Sequence, residues 1–78
     1  YDIPYNSTGL DQVPTSLVIY DLLGKEVIRL VDGYQLPGKY SISWTGVNYN
    51  GNRVASGIYF YSLRTGTFSD TRRMILLR

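Results

Sequence analysis

Short runs in which apolar and polar residues alternate, separated by turn residues, most constrain how this chain can fold. Tyr40, Ile42 and Trp44 alternate with polar residues, and residues 59–64 repeat the pattern with Tyr59, Tyr61 and Leu63 facing one way. A two-residue period is typical of a strand with one buried face. No segment keeps a 3.6-residue apolar period over three helical turns. The sequence therefore predicts an all-β fold.

Other apolar runs predict the remaining strands. Residues 17–20 predict a strand whose odd and even side chains lie on opposite faces, and residues 27–31 and 68–77 predict two more. A short first strand is expected to close at Ile3, because Pro4 cannot donate to a ladder. Six to seven short strands joined by hairpins predict a small antiparallel sandwich.

Turn residues separate these strands. Asp21–Lys25 predicts a tight hairpin loop, Asn50–Gly51 a type I′ or similar turn, and Thr65–Thr67 a short hairpin. Pro37–Gly38 is expected to open the strand that carries the tryptophan. Asn6–Pro14 is polar, bounded by prolines and expected to be the least structured stretch.

Composition sets the means of stabilisation. The 78 residues predict one domain, 1–78, and a chain of this size has a marginal core. Cysteine and histidine are absent, so neither a disulfide nor a common zinc site is expected. Eight tyrosines, two phenylalanines and one tryptophan must supply the packing instead. Trp44 falls on the inward alternation, which favours a core position over a sugar-stacking platform.

The charge and the absence of targeting features exclude some roles. A net charge of +2 is too weak to indicate nucleic-acid binding, and no apolar run is long enough to span a membrane. A chain that begins at Tyr1 is expected to be a fragment of a longer protein, so a targeting peptide could lie upstream. The composition leaves the compartment open.

Candidates for chemistry are few. Without histidine and cysteine, the common general base and the strongest nucleophile are missing, so no enzyme activity and no cofactor are expected. Asp21 and Glu26 flank one hairpin, where solvated turn residues are favoured over a carboxylate pair. The Asn48–Asn52 loop is rich in oxygen ligands but has no carboxylate, so a turn is favoured over a calcium site. Tyr20, Tyr34 and Tyr49 are candidates for exposed aromatic residues that bind glycans, although their spacing forms no row.

The last predicted strand is unusual because both of its faces are apolar. Met74 and Leu76 point one way, while Ile75 and Leu77 point the other, and arginines flank the run at positions 72, 73 and 78. Burying one face leaves the other to be covered by a loop or a partner. An uncovered strand of this kind favours strand addition by another molecule, although arginines can also simply protect an edge.

The order and spacing of these segments resemble a known family. Leu17–Val27 resembles "VYDxLGREV", Leu30–Gly33 resembles "LVDG", and Gly38–Gly46 resembles "GxYxxxWxG". Residues 51–63 resemble "GxxVASGxYFYxL", and residues 72–78 resemble a closing basic and apolar stretch. Together these are similar to the C-terminal sorting domains of type IX (Por) secretion substrates. The Ig-like domain of the flagellar hook-capping protein shares the central part.

The resemblance implies an Ig-like β-sandwich that acts as a non-catalytic sorting signal. Its implied partners are the outer-membrane secretion machinery, an upstream cargo domain and a sortase-like processing protease. The implied location is the cell surface or exterior of a Gram-negative bacterium, reached through the periplasm. The alternative is an accessory carbohydrate-binding or structural Ig-like module of a secreted glycoside hydrolase or other surface enzyme. The given sequence lacks the family's upstream Asn-Pro-rich lead-in, so the first strand is expected to be incomplete or absent here. The chain also departs from the family in its longer Asn6–Pro14 insert and in the amide at Asn48.

The resemblance also assigns residues to roles. The predicted sorting signal comprises Arg72, Arg73, Met74, Ile75, Leu76, Leu77 and Arg78. The predicted structural motif comprises Tyr20, Asp21, Gly24, Gly38, Tyr40, Trp44, Gly51, Gly57 and Tyr59.

Overall fold

The computed structural model describes residues 1–3, 12–36, 38–66 and 68–77, and these form two antiparallel sheets. The strands are β1 (Asp2–Ile3), β2 (Val13–Asp21), β3 (Glu26–Gln35), β4 (Gly38–Lys39), β5 (Gly57–Thr65) and β6 (Phe68–Leu76). The larger sheet has the order β3-β2-β5-β6, and the smaller one pairs β1 with β4. This arrangement confirms the predicted small antiparallel Ig-like sandwich, with six strands in the described part of the chain.

Strand β2 lies inside the larger sheet, paired with β3 on one side and β5 on the other. Leu17, Val18 and Ile19 are consecutive, and none is more than 6% exposed. The predicted opposition of odd and even side chains holds, and both faces are covered at this point. β2 is therefore the strand on which the core depends most.

Strand β3 departs from regular pairing twice. Leu17 pairs with Val31 and Val18 with Arg29, so Leu30 is an extra residue, and a second shift leaves Val27 extra. Bulges of this kind bend a strand and increase its twist. The bulges account for an apolar run at residues 27–31 that does not alternate strictly. The strand itself is longer than predicted and runs from Glu26 to Gln35.

The core is built on one face of the larger sheet. Ile19, Val27 and Tyr59 form its buried cluster, and Trp44 packs on them. The Trp44 and Tyr59 rings meet edge to face with centroids 5.1 Å apart, and the Tyr59 hydroxyl donates to the carbonyl oxygen of Ala55 at 2.6 Å. Other half-buried residues around the cluster are Ile28, Leu30, Val54, Tyr61, Met74 and Leu76.

The predicted strand around Tyr40, Ile42 and Trp44 is wrong. Ladder pairing stops with the two residues of β4, and residues 40–45 belong to no strand. Tyr1 and Tyr40 still exchange two main-chain hydrogen bonds of 2.7 Å beside the β1–β4 pair, but none of the described strands pairs with residues 41–45. Side chains hold the segment instead, with Trp44 donating its indole N–H to the Val47 carbonyl at 2.9 Å. Ile42 is 45% exposed, so the alternation there does not mark a buried strand face.

Two loops share one hydrogen-bond geometry. In Asp21–Lys25 the N–H of Gly24 donates to the Asp21 carbonyl, and in Asn48–Asn52 the N–H of Gly51 donates to the Asn48 carbonyl, both at 3.0 Å. The first side chain of each loop also accepts from the backbone N–H groups two and four residues later. Both glycines have positive φ, 85° and 78°. A type I′ turn requires positive φ at both of its central residues. Among the described residues only glycines have positive φ, so the Asn50–Gly51 turn is not type I′.

Other boundaries differ slightly from prediction. Pro14 lies within β2 rather than in the polar stretch, and β6 ends at Leu76. Gly66 forms the hairpin before β6 with φ of 56°. Pro4, Asn6–Asp11, Pro37, Thr67 and Arg78, on which some predictions fell, lie outside the described residues.

Candidate functional site

The candidate site is β6, an edge strand of the larger sheet. Among the described strands, only β5 pairs with β6, and the pairing runs from Thr65 with Phe68 to Gly57 with Leu76. The other long side of β6 carries main-chain groups that no described strand engages. An edge of this type is a template for pairing with another chain.

The two faces of β6 differ in burial, which the sequence alone did not predict. Met74 and Leu76 are half-buried and pack on the core cluster, with Met74 directly opposite Tyr59. Ile75 is 65% exposed and Leu77 is 83% exposed. The apolar run therefore divides into a packing face and a solvent face, and Ile75 continues onto the neighbouring strand through its partner Ile58, which is 38% exposed.

The two arginines of β6 also lie on opposite faces. Arg72 shares the face of Met74, and its Nε donates to the Asp70 carboxylate at 2.8 Å. That hydrogen bond raises the pKa of the Arg72 guanidinium above its ordinary value. Arg73 is exposed on the other face, opposite Phe60. The edge thus carries one arginine on each face of the sheet. Asp70 neutralises Arg72 on the core face, and no ion pair of Arg73 is seen among the described residues on the other face.

Asp70 is a site residue that the sequence reasoning missed. Aspartate and arginine two positions apart point to the same side of a strand. The spacing of Asp70 and Arg72 is therefore the sequence signal that indicates this ion pair. Asp70 is half-buried, whereas the acidic residues first considered for chemistry lie elsewhere.

An aromatic cleft lies between the core face of the sheet and the segment at residues 40–44. Its volume is about 570 Å³. Tyr1 and Tyr40 stack at one wall with centroids 5.4 Å apart. Trp44, Tyr61 and Phe68 also line the cleft. The cleft can accommodate an apolar or planar group, and Asp70 and Arg72 of β6 contribute its charged lining.

The carboxylates considered for catalysis have structural partners. The Asp21 carboxylate accepts backbone N–H groups within its own loop. Glu26 accepts the hydroxyl of Tyr49 and pairs with Arg29 at 3.2 Å. The hydrogen bond from Tyr49 lowers the pKa of Glu26, and the same bond raises the pKa of Tyr49. The hydrogen bond between Tyr49 and Glu26 therefore links the Asn48–Asn52 loop to the start of β3, just after the Asp21–Lys25 loop.

The Asn48–Asn52 loop likewise uses its oxygen ligand internally. The Asn48 amide oxygen accepts from Asn50 at 3.0 Å and from Asn52 at 3.1 Å. In the described ranges, no three acidic side chains converge as metal ligands would.

No helix among the described residues is long and apolar enough to cross a membrane.

The exposed tyrosines do not meet. Tyr49 is 57% exposed beside Glu26, at the start of β3, and Tyr34 is 69% exposed near the end of that strand. Glu26 and Tyr34 are separated by eight steps along β3, roughly 26 Å at the rise of a strand. Tyr20 is half-buried in β2. The three rings therefore form no continuous platform.

The structural-motif residues occupy turns and the core. Gly24 and Gly51 lie in the two matched loops, and Gly38 and Gly57 begin β4 and β5. Tyr59 belongs to the buried cluster. These positions shape the scaffold that presents β6.

Comparison with protein families gives one match. The family described as FlgD Ig-like domain matches residues 7–67, which is more than half of the chain and ends just before β6. Comparisons with curated proteins and with solved structures found no match. The matched span includes the core strands β2, β3 and β5 and both matched loops. The chain therefore belongs to the family of FlgD Ig-like domains.

Proposed function

We propose that this chain is a non-catalytic C-terminal sorting domain, which directs an attached upstream cargo through type IX secretion machinery to the cell surface or exterior. The observation that supports the proposal best is the division of β6 into a packing face and a solvent face. Met74 and Leu76 attach the strand to the core, while Arg73, Ile75 and Leu77 stay accessible. A receptor can therefore read the strand without unfolding the domain.

Recognition by strand addition fits this geometry. An edge strand supplies main-chain hydrogen bonds for affinity, and alternate side chains supply specificity. The outer-membrane machinery would pair with the open side of β6 and contact Ile75 and the arginines. A sortase-like protease could then separate the domain from its cargo, because neither step needs a catalytic group in this chain.

The sharpest test removes apolar side chains that the fold does not use. A reporter fused to the chain is expressed in a bacterium with a type IX system, and its surface and culture-medium fractions are measured. The I75S/L77S variant is expected to lose at least tenfold of the delivered reporter. The matched control is L22S/L23S, since Leu22 and Leu23 are 65% and 94% exposed in the Asp21–Lys25 loop.

A second test separates local charge from total charge. Replacing Arg72 and Arg73 together by alanine is expected to block delivery of the reporter. Replacing Arg53 and Arg64 by alanine removes the same charge from other exposed positions and is expected to leave delivery unchanged. Equal delivery of both double variants would contradict the proposal. Delivery of a fusion truncated before Met74 would contradict it more strongly, provided that the truncated domain stays folded.

The alternative is an accessory carbohydrate-binding module of a secreted glycoside hydrolase or other surface enzyme. The aromatic cleft favours it, since Trp44 and Tyr61 offer ring surfaces beside the Asp70 carboxylate. Retention on insoluble polysaccharides that is lost in Y61A would support this role. Failure to bind across such polysaccharides, together with lost delivery of I75S/L77S, would favour the sorting domain.

A further inference from the structure

The side chains along β6 are complementary to a second copy of the same strand. We propose that β6 pairs antiparallel with β6 of a second copy about a two-fold axis at Thr71. The two four-stranded sheets would join edge to edge into one continuous sheet. This inference rests on the edge and its charges, and it does not depend on a role in secretion. A chain paired in this way could not offer the same open side of β6 to a receptor at the same time, so the dimer and the proposed secretion machinery would compete for it.

Symmetry restricts the possible registers. A two-fold axis that relates neighbouring antiparallel strands places one residue opposite its own copy, and it keeps the same face of both sheets on one side. An axis at Asp70, Arg72 or Arg73 would set that charge directly against itself, which is destabilising. An axis at Thr71 sets threonine against threonine, an uncharged pair, while the Thr71 hydroxyl of each copy keeps its hydrogen bond to Ser62 at 3.2 Å.

The Thr71 register also places opposite charges together. Residues one position either side of the axis face each other, so Asp70 of each copy lies opposite Arg72 of the other. Arg72 already holds Asp70 of its own strand at 2.8 Å, with side chains 67% and 38% exposed. Pairing would therefore extend two separate ion pairs into a four-charge network and partly shield it from water, and charges attract more strongly away from water than in it.

Apolar and neutral residues fill the flanking positions. Phe68, 48% exposed, falls opposite Met74 of the second copy. Ser69 falls opposite Arg73, which leaves that arginine facing a neutral residue. Arginines on an edge strand usually oppose association between strands. Here Arg72 would instead attract the second copy, because it lies opposite that copy's Asp70. Each pairing along residues 68–74 is thus neutral, apolar or oppositely charged.

Charge reversal gives a test with its own internal check. D70R and R72D each place like charges opposite each other in a homodimer, so each variant alone is expected to bind itself at least tenfold more weakly than the parent chain. Mixed together, the two variants are complementary at both positions and are expected to form a heterodimer. The D70R/R72D double variant is expected to regain the homodimer within about threefold.

Sedimentation velocity across a concentration series up to about 1 mM measures these equilibria, and circular dichroism verifies that each variant is folded. R53D is the control for R72D, since Arg53 is an exposed arginine outside the larger sheet and its reversal lowers the net charge by the same two units. A parent chain that stays monomeric throughout the series would overturn the proposal. So would a dimer that both single variants retain, or single variants that fail to associate when mixed.

Discussion

Strands β2 and β6 are both nine residues long and both pair with β5, one on each side. They nevertheless differ in almost every other respect. β2 has three consecutive buried residues, whereas no residue of β6 is fully buried. The comparison shows that equal length and the same partner do not give equal burial: β2 is part of the core, whereas β6 keeps one exposed face and one edge that no described strand pairs with.

The largest expected difference comes from one residue type at two positions. Ile19→Ala removes a side chain that is 2% exposed from the core cluster and is expected to lower the free energy of unfolding by about 2–5 kcal/mol. Ile75→Ala, at a side chain that is 65% exposed, is expected to cost less than about 0.5 kcal/mol. Urea unfolding followed by circular dichroism measures both. Similar losses in the two variants would remove the distinction between the strands.

A second experiment tests what covers β2. Trp44 packs on Ile19 and Tyr59 but is only half-buried. Trp44→Ala is therefore expected to cost about 2–3 kcal/mol, less than the roughly 3–5 kcal/mol of a fully buried ring. Trp44→Phe keeps an aromatic ring but loses the five-membered part of the indole and the hydrogen bond to Val47, so at least about 1 kcal/mol should be lost. An alanine variant with unchanged urea midpoint would mean that the indole does not contribute to the core.

A third experiment concerns the loop through which β2 turns back into β3. Gly24→Ala forces a residue with a side chain to adopt a φ of 85°, although the added carbon meets no atom within 4 Å. The expected cost is about 1–2 kcal/mol, all of it from the backbone conformation. Gly33→Ala in β3 is the control, since it also meets nothing within 4 Å and has no positive φ. Equal thermal stability of the two variants would contradict this explanation.

The smallest effect should be a change in pH dependence. The pKa of Glu26 is lowered in the folded state by the Tyr49 hydroxyl. Stability from this contact is therefore present above the unfolded pKa of about 4.3 and is lost as pH falls through the lower folded value. The raised pKa of Tyr49 has the opposite sign, so its contribution is lost as the solution becomes alkaline, above about pH 10.

Tyr49→Phe removes the hydroxyl and keeps most of the ring. The free energy of unfolding, measured by urea from pH 3 to 7, is expected to fall less steeply toward acid in this variant than in the parent chain. Parallel curves would show that the Tyr49–Glu26 contact is too exposed to matter. The Arg29 ion pair remains in both proteins, so the difference isolates the tyrosine.

Local chemistry made some features predictable from sequence. The Asp21–Lys25 loop needs only a capping carboxylate and a glycine with positive φ, and both are close in the chain. The alternation at Tyr59–Arg64 likewise reports a strand whose neighbours on both sides are long. In these cases the pattern and the pairing coincide.

Features that depend on distant partners were not predictable in the same way. The segment at 41–45 has a strand pattern, but none of the described strands pairs with it, and an alternating pattern does not reveal whether a partner strand is available. The face of β6 that packs on the core was equally ambiguous, since Met74 and Ile75 are both apolar. Only the register with β5, which sets Met74 opposite Tyr59, decides it.

The bulges of β3 have a consequence for how large an assembly could become. A sheet with two usable edges can grow without limit into a fibre, because each added subunit exposes a new edge. Here Val27 and Leu30 interrupt the pairing of β3, and the twist that bulges add makes that side a poor template. In the larger sheet, a pair of chains joined through β6 would carry only the bulged β3 edges on its outside. Growth of that sheet would then stop at two chains, because the remaining edges are poor templates for further pairing.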